Sequence, residues 1–190
     1  RASASLMAVA AGCGIAGSAL ANDDVNALQN DPANVVMPSI TYKGWNYSTL
    51  DQITLDNVAD LQVAWTWQVG ILDSHEASPL VIGDTMYIVS PKPNYVYALD
   101  LTNNGVIKWE FRPDINMEEA VPVACCGAQT RGIYYAEGKL FYATLDGQVF
   151  GLDAATGEAL WRTVGTNISY GEGMPSTGVV VGNLFITANE

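Results

Sequence analysis

The feature that most constrains this chain is a repeat of strand-like segments. Gly83-Asp84-Thr85-Met86-Tyr87-Ile88-Val89 reads as a strand opened by a Gly-Asp turn, and Tyr95-Val96-Tyr97-Ala98-Leu99-Asp100 reads as a second. After Asn104-Gly105, Val106-Ile107-Lys108-Trp109-Glu110-Phe111 reads as a third. The same order then returns as Gly138-Lys139-Leu140-Phe141-Tyr142-Ala143, Gln148-Val149-Phe150-Gly151-Leu152-Asp153, the turn Thr156-Gly157, and Glu158-Ala159-Leu160-Trp161-Arg162. A further copy opens at Gly182-Asn183-Leu184-Phe185-Ile186-Thr187. Self-similarity at about 45–55 residues, all of it strand, means that small sheets are repeated radially or in a line.

Strand, turn, strand, turn, strand, closed by one more strand, is the plan of a propeller blade, and the expected fold class is all-β. In each unit a Leu-Asp pair and a turn glycine precede a tryptophan, Trp109 or Trp161. Asp and Gly suit the turn, and the Trp is expected to dock one blade onto the next. Trp65, Trp109 and Trp161 are each read as ending a blade. Leu61-Gln62-Val63-Ala64-Trp65-Thr66-Trp67-Gln68-Val69 alternates strictly and is read as a strand of an earlier blade. A propeller closes with about four blades or more, and an open stack leaves exposed edges. The sequence is therefore expected to be a fragment truncated at both ends.

Three regions follow. Residues 1–21 read as a secretory leader with an incomplete n-region: the apolar run around Leu6–Ala16 leads to Ala19-Leu20-Ala21, an A-x-A cleavage site, and then to Asn22-Asp23-Asp24. Ala10-Ala11-Gly12-Cys13 faintly resembles a lipoprotein box, which ranks below cleavage after Ala21. Residues 22–60 form a segment leading into the propeller, with short helices expected at Asp24–Gln29 and at Thr54–Leu61, Thr54 serving as N-cap. Residues 61–190 are the first blades. No other stretch is long and apolar enough to span a membrane.

Charge narrows the partners. Eight Lys and Arg stand against 20 Asp and Glu, a net charge of −12. Nucleic-acid binding leans on Lys and Arg neutralising phosphates, so that class is excluded. The balance fits a soluble acidic surface, or one that meets a basic protein.

One short stretch stands apart: Val123-Ala124-Cys125-Cys126-Gly127-Ala128-Gln129-Thr130-Arg131-Gly132. Adjacent cysteines cannot staple distant parts of a fold. They are either two reduced small residues on a strand or a strained ring of the kind that collects at functional sites. Export favours disulfides. Loss of Cys13 with the leader would leave only Cys125 and Cys126, for which pairing with each other is the economical reading. His75 is the single histidine, and without a partner it is neither a metal site nor a general base. No Ser-His-Asp set, phosphate-binding glycine loop or CxxC motif is present.

Ser74-His75-Glu76-Ala77-Ser78-Pro79-Leu80 through Tyr87, Pro91-Lys92-Pro93-Asn94-Tyr95 through Asp100, and Pro122-Val123-Ala124-Cys125-Cys126 with Arg131-Gly132 resemble the opening blades of the methanol/ethanol dehydrogenases that use pyrroloquinoline quinone, PQQ. The resemblance runs from about Asn22 to the end. It implies an eight-bladed propeller, of which this chain covers the first two to three blades. It also implies periplasmic oxidation of methanol or another short primary alcohol to the aldehyde, with electrons passed to a cytochrome c. In that family a Ca²⁺ or lanthanide ion binds the quinone oxygens. Residue by residue, Glu76 matches the acidic residue at the PQQ carboxylate edge. Cys125 and Cys126 match the disulfide over the cofactor plane. Arg131 matches the arginine that pairs with a PQQ carboxylate, a task its planar fork suits. Ser176 or Thr177, in Gly171-Glu172-Gly173-Met174-Pro175-Ser176-Thr177, falls where the family places a hydroxyl residue.

The first metal ligand falls just past Glu190, which is not assigned. The catalytic aspartate, the other ligands and the stacking tryptophan lie further on, and this fragment alone is expected to be inactive. A homodimer is left open as the assembly. The competing reading is a non-catalytic propeller scaffold of the cell envelope, which would carry the same docking tryptophans. Glu76, Arg131 and the cysteine pair speak for the enzyme.

Overall fold

A computed structural model describes residues 21–124, 127 and 129–189. The stretch read as a leader, apart from Ala21, lies outside the described residues, and so do Cys125 and Cys126.

Two four-stranded antiparallel sheets form the body of the structure. The first holds β1 (Leu80–Ile82), β2 (Thr85–Val89), β3 (Val96–Asp100) and β4 (Val106–Phe111), in that spatial order. After α1 (Asp23–Leu28), which precedes these strands, and α2 (Met117–Val123), which follows them, the second sheet repeats the plan. It holds β5 (Tyr134–Ala136), β6 (Lys139–Ala143), β7 (Gln148–Asp153) and β8 (Ala159–Val164). A hairpin of β9 (Val179–Val181) and β10 (Leu184–Ile186) opens a third unit. These are two complete blades and the start of another, as the repeat predicts. Both blades shift register between their third and fourth strands, at Ala98/Leu99 and at Gly151/Leu152, so the repeat extends to the bulge that twists each outer strand.

Each blade's turn is built by its aspartate. Asp100 Oδ1 accepts from the Thr102 backbone N–H at 2.9 Å, and the Gly105 N–H donates to the Asp100 carbonyl at 2.8 Å. Asp153 Oδ1 accepts from the Ala155 and Thr156 N–H groups, each at 2.9 Å, and the Gly157 N–H donates to the Asp153 carbonyl at 2.8 Å. The docking tryptophans follow. Trp65 lies over Gly105, Trp109 lies over Gly157, and the Trp109 indole N–H donates to the Ala154 carbonyl at 3.1 Å. Between the two blades the buried residues Leu80, Val89, Val96 and Ala98 pack with Ile133, Leu140, Tyr142 and Leu152. Burial of that apolar surface holds one blade to the next.

Three expectations need correction. Leu61–Val69 belongs to no strand, and Leu61 and Val63 remain 59% and 80% exposed. Its alternation records one packed face rather than a ladder. Trp65 covers Gly105 and Trp67 meets Tyr97 edge-on at 5.1 Å, while no pairing strand lies among the described residues. The helix expected at Thr54–Leu61 shrinks to a 3-10 turn at Val58–Asp60. Thr54 does not cap it; the Asn57 side chain instead accepts from the Thr54 N–H and donates to the Gln52 carbonyl, each at 2.8 Å. The helix expected at Asp24–Gln29 is α1, one residue earlier, because the buried Asn22 caps it by accepting from the Val25 N–H at 3.2 Å.

Candidate cofactor site

Three chain segments meet at equivalent places in three successive blades. Ser78 stands just before β1, Gly132 just before β5 and Thr177 just before β9. Each of these strands lies at the same end of its blade's strand order. Ser78 and Gly132 form a parallel bridge, and the Arg131 N–H donates to the Pro175 carbonyl at 2.8 Å. Gly132 is what lets the three segments close up. Its φ is +140°, and a Cβ there would stand 3.2 Å from Thr177 Oγ1. Left-handed backbone together with close approach is a requirement only glycine meets cheaply.

This convergence brings Glu76 and Arg131 together. Arg131 Nη1 lies 3.6 Å from Glu76 Oε2. The other carboxylate oxygen, Oε1, accepts from Gln129 Nε2 at 3.0 Å. The Arg131 and Glu76 side chains are 53% and 43% exposed, so the pair faces outward and is worth little to stability by itself. Gln129 and Thr130 are buried. Among the described residues, Gln129 Oε1 and Thr130 Oγ1 have no hydrogen-bond partner, which is unusual for buried polar atoms.

The segment that carries Glu76 is fixed by the blade it enters, through the end of β2 and the turn that follows. His75 Nε2 lies 3.0 Å from the Val89 carbonyl, which assigns the proton to Nε2 as donor. Lys92 Nζ lies 3.3 Å from Asp73 Oδ2. The Asp73 carboxyl is held below its ordinary range, first by the Ser74 backbone N–H and then by Lys92. His75 thus anchors the loop that carries Glu76.

Of the residues singled out from the sequence, Glu76 and Arg131 form one cluster and Thr177 lies beside it at Gly132. Ser176 is the chain neighbour of Thr177 and is half-buried. Cys125 and Cys126 stay outside the described residues. Gln129 was missed. Only its place between the cysteine pair and Arg131 marked it, and a lone amide carries no spacing signal. Among the described residues no group of three or more His, Cys, Asp or Glu could hold a metal ion. No described helix is long and apolar enough to cross a membrane.

The chain resembles known proteins throughout. A lanthanide-dependent methanol dehydrogenase of Methylacidiphilum fumariolicum (strain SolV) is 44% identical over 164 residues, covering 86% of this chain and 27% of that protein. Subunit 1 of the methanol dehydrogenase [cytochrome c] of Paracoccus denitrificans is 38% identical, covering 99% of this chain and 31% of that protein. Among solved structures, a europium-containing methanol dehydrogenase superimposes with a TM-score of 0.86 at 42% identity, over 89% of this chain and 29% of that one. The chain thus spans under a third of the length of these relatives. The profile of the PQQ glucose/ethanol/alcohol dehydrogenase β-propeller domain matches residues 38–167. Two blades docked through Trp109, and a profile that covers most of the chain, make this protein a member of the PQQ-dependent glucose/ethanol/alcohol dehydrogenase β-propeller family.

Proposed function

We propose that the full-length protein is a periplasmic quinoprotein that oxidises a primary alcohol, methanol or another short one, to the aldehyde and passes the electrons to a cytochrome c. The observation that carries this reading is the Arg131–Glu76 pair, which stands where the segments entering three successive blades converge. The donor set fits PQQ, a planar quinone that bears carboxylates. Arg131 is half-exposed and offers a fork of N–H donors, and Thr177 brings a hydroxyl beside it at Gly132.

In this role Arg131 binds a cofactor carboxylate and Glu76 orients Arg131. The Thr177 hydroxyl would supply a donor at the same edge, and the family's disulfide is assigned to Cys125 and Cys126. PQQ, when bound, supplies the two-electron acceptor that the protein lacks. The Ca²⁺ or lanthanide ligands and the catalytic aspartate are assigned to sequence beyond Glu190, and no residue described here is given either task. The leader reading, with cleavage after Ala21, supplies the export that the periplasmic assignment needs.

The relatives named above are dehydrogenases in name. The scaffold reading leaves the convergence of Glu76, Gln129 and Arg131 without a purpose. The test is to purify the full-length protein without cofactor, add PQQ with Ca²⁺ or a lanthanide, and follow alcohol-dependent dye reduction. Restored turnover supports the proposal, and failure to take up PQQ rejects it. In the same preparation the intact mass should lie about 2 Da below that of the reduced form, for one disulfide. Full alkylation of both cysteines without reductant would count against the ring.

A further inference from the structure

We propose that Gln129 is a positioning residue that fixes the Glu76 carboxylate so that Glu76 in turn aims Arg131 at an anionic ligand. Each Glu76 oxygen is engaged by a different residue, Oε1 by Gln129 Nε2 at 3.0 Å and Oε2 by Arg131 Nη1 at 3.6 Å. Of the three side chains only that of Gln129 is anchored in the interior: the residue is 8% exposed, against 53% and 43% for the Arg131 and Glu76 side chains. Two long exposed side chains do not hold each other in one geometry, because the rotamer entropy they lose offsets the gain. A buried third partner supplies what the pair lacks.

Gln129 is itself pinned. Its Oε1 lies against Gly127, where φ is +104° and a Cβ would meet that oxygen at 2.7 Å. Thr130, the next residue, is 1% exposed, and the Arg131 N–H is tied to Pro175. The amide is also the right chemistry. It is a neutral donor that satisfies a carboxylate without altering its charge. A carboxylate at position 129 would repel Glu76, or the two would share one proton. A hydrocarbon would leave Oε1 of Glu76 without its donor. With Glu76 held in this way by Gln129 and by Arg131 Nη1, the other N–H groups of Arg131 are left to bind an anion that enters. That this anion is a PQQ carboxylate rests on the function proposed above.

The test uses Gln129→Leu and the isosteric Gln129→Glu in the full-length protein, prepared with and without PQQ. In the cofactor-free protein, phenylglyoxal labelling of Arg131, read by peptide mass spectrometry, should run several-fold faster in Gln129→Leu than in the wild type. PQQ titration by fluorescence quenching should show a Kd roughly tenfold higher for Gln129→Leu, the scale of one hydrogen bond to a charged group. Gln129→Glu should bind PQQ poorly at pH 7.5 and recover toward pH 5, as the two carboxylates take up a shared proton, while the wild type shows no such recovery. Unchanged Arg131 labelling with parallel pH profiles would overturn the assignment. If the wild type binds no PQQ, the proposed function fails, and the labelling rates alone decide the role of Gln129. Should Gln129→Leu fail to fold, the pH profile of Gln129→Glu carries the decision.

Discussion

Trp109 lies across the turn of the following blade so closely that a Cβ on Gly157 would stand 2.5 Å from its ring. The glycine also sits at φ +77°. Gly157→Ala therefore meets two penalties: a left-handed conformation costing ~1–2 kcal/mol and an overpacked ring costing roughly 1–3 kcal/mol more. Gly138 separates the two. Its φ is +70°, but nothing lies within 4 Å of its Cβ position, so Gly138→Ala should lose only the conformational part. Chemical denaturation of the full-length protein would show the difference. Equal losses would mean that the tryptophan does not lock the blades.

A second expectation concerns Arg131. If Arg131 holds a PQQ carboxylate as proposed, Arg131→Leu should weaken PQQ binding by one to two orders of magnitude, through loss of that charge-assisted contact (about 1.5–3 kcal/mol). Arg131→Lys should recover only part of this. An ammonium keeps the charge but not the planar fork, and it can no longer satisfy Glu76 and the ligand in fixed directions. Equilibrium titration of cofactor-free protein measures both. A lysine variant that binds as tightly as the wild type would show that charge alone suffices.

The propeller was legible in the sequence because its strands β2, β3, β6 and β7 are long enough to carry a pattern and its turns repeat an Asp and a Gly. The three-residue strands β1, β5 and β9 were not legible, since three residues cannot show a period, yet these are the strands whose entry points build the site. Leu61–Val69 misled for the opposite reason. Its alternation is real, because Trp65 and Trp67 face the first blade, but a packed face is not a paired edge. α2 escaped notice beside the cysteine pair, with Pro122 inside it arguing against a helix. Glu76 and Arg131 emerged through a resemblance. Their contact, and the hand of Gln129 in it, depend on Gly132 bringing distant segments together, and that is a tertiary fact.

The two turn aspartates predict the acid limb of stability. The Asp100 carboxyl is held low first by the Thr102 hydroxyl, and the Asp153 carboxyl first by the Thr156 backbone N–H. A carboxyl whose folded value lies below its unfolded one, about 3.9, stabilises the fold fully above that value. The contribution drains away as pH falls through the folded value. Asp153→Asn keeps an acceptor but no charge. It should be less stable than the wild type at pH 7, and the gap should close below about pH 4. Thermal denaturation across pH 2–7 would test this, and a gap that persists unchanged at pH 2 would place the loss elsewhere than in the charge.

Asn22 ties the N-terminal segment to two blades at once. It is 3% exposed. Its Oδ1 caps α1 by accepting from the Val25 N–H at 3.2 Å, and its Nδ2 donates to Glu137 Oε1 and to the Gly182 carbonyl, each at 2.9 Å. Its own N–H donates to the Tyr42 hydroxyl at 3.3 Å, and that hydroxyl donates to the Val180 carbonyl at 2.7 Å. Asn22→Ala should cost roughly 1–2 kcal/mol for the cap and roughly 0.5–1.5 kcal/mol more for the part-buried hydrogen bonds to Glu137 and Gly182 that it removes. Asn22→Asp discriminates between these parts. It keeps the cap, and a carboxylate is favoured at a helix N-terminus, but it removes the donor and sets a second negative charge against Glu137. If the bridge to the second and third blades matters more than the cap, Asn22→Asp will be at least as unstable as Asn22→Ala at neutral pH and will regain stability toward pH 4 as the carboxylates protonate. A stable Asn22→Asp would instead reduce Asn22 to the cap of a six-residue helix, and the attachment of this segment would then rest on the apolar contacts of Val25, Val36 and Met37 with Tyr134 and Val180.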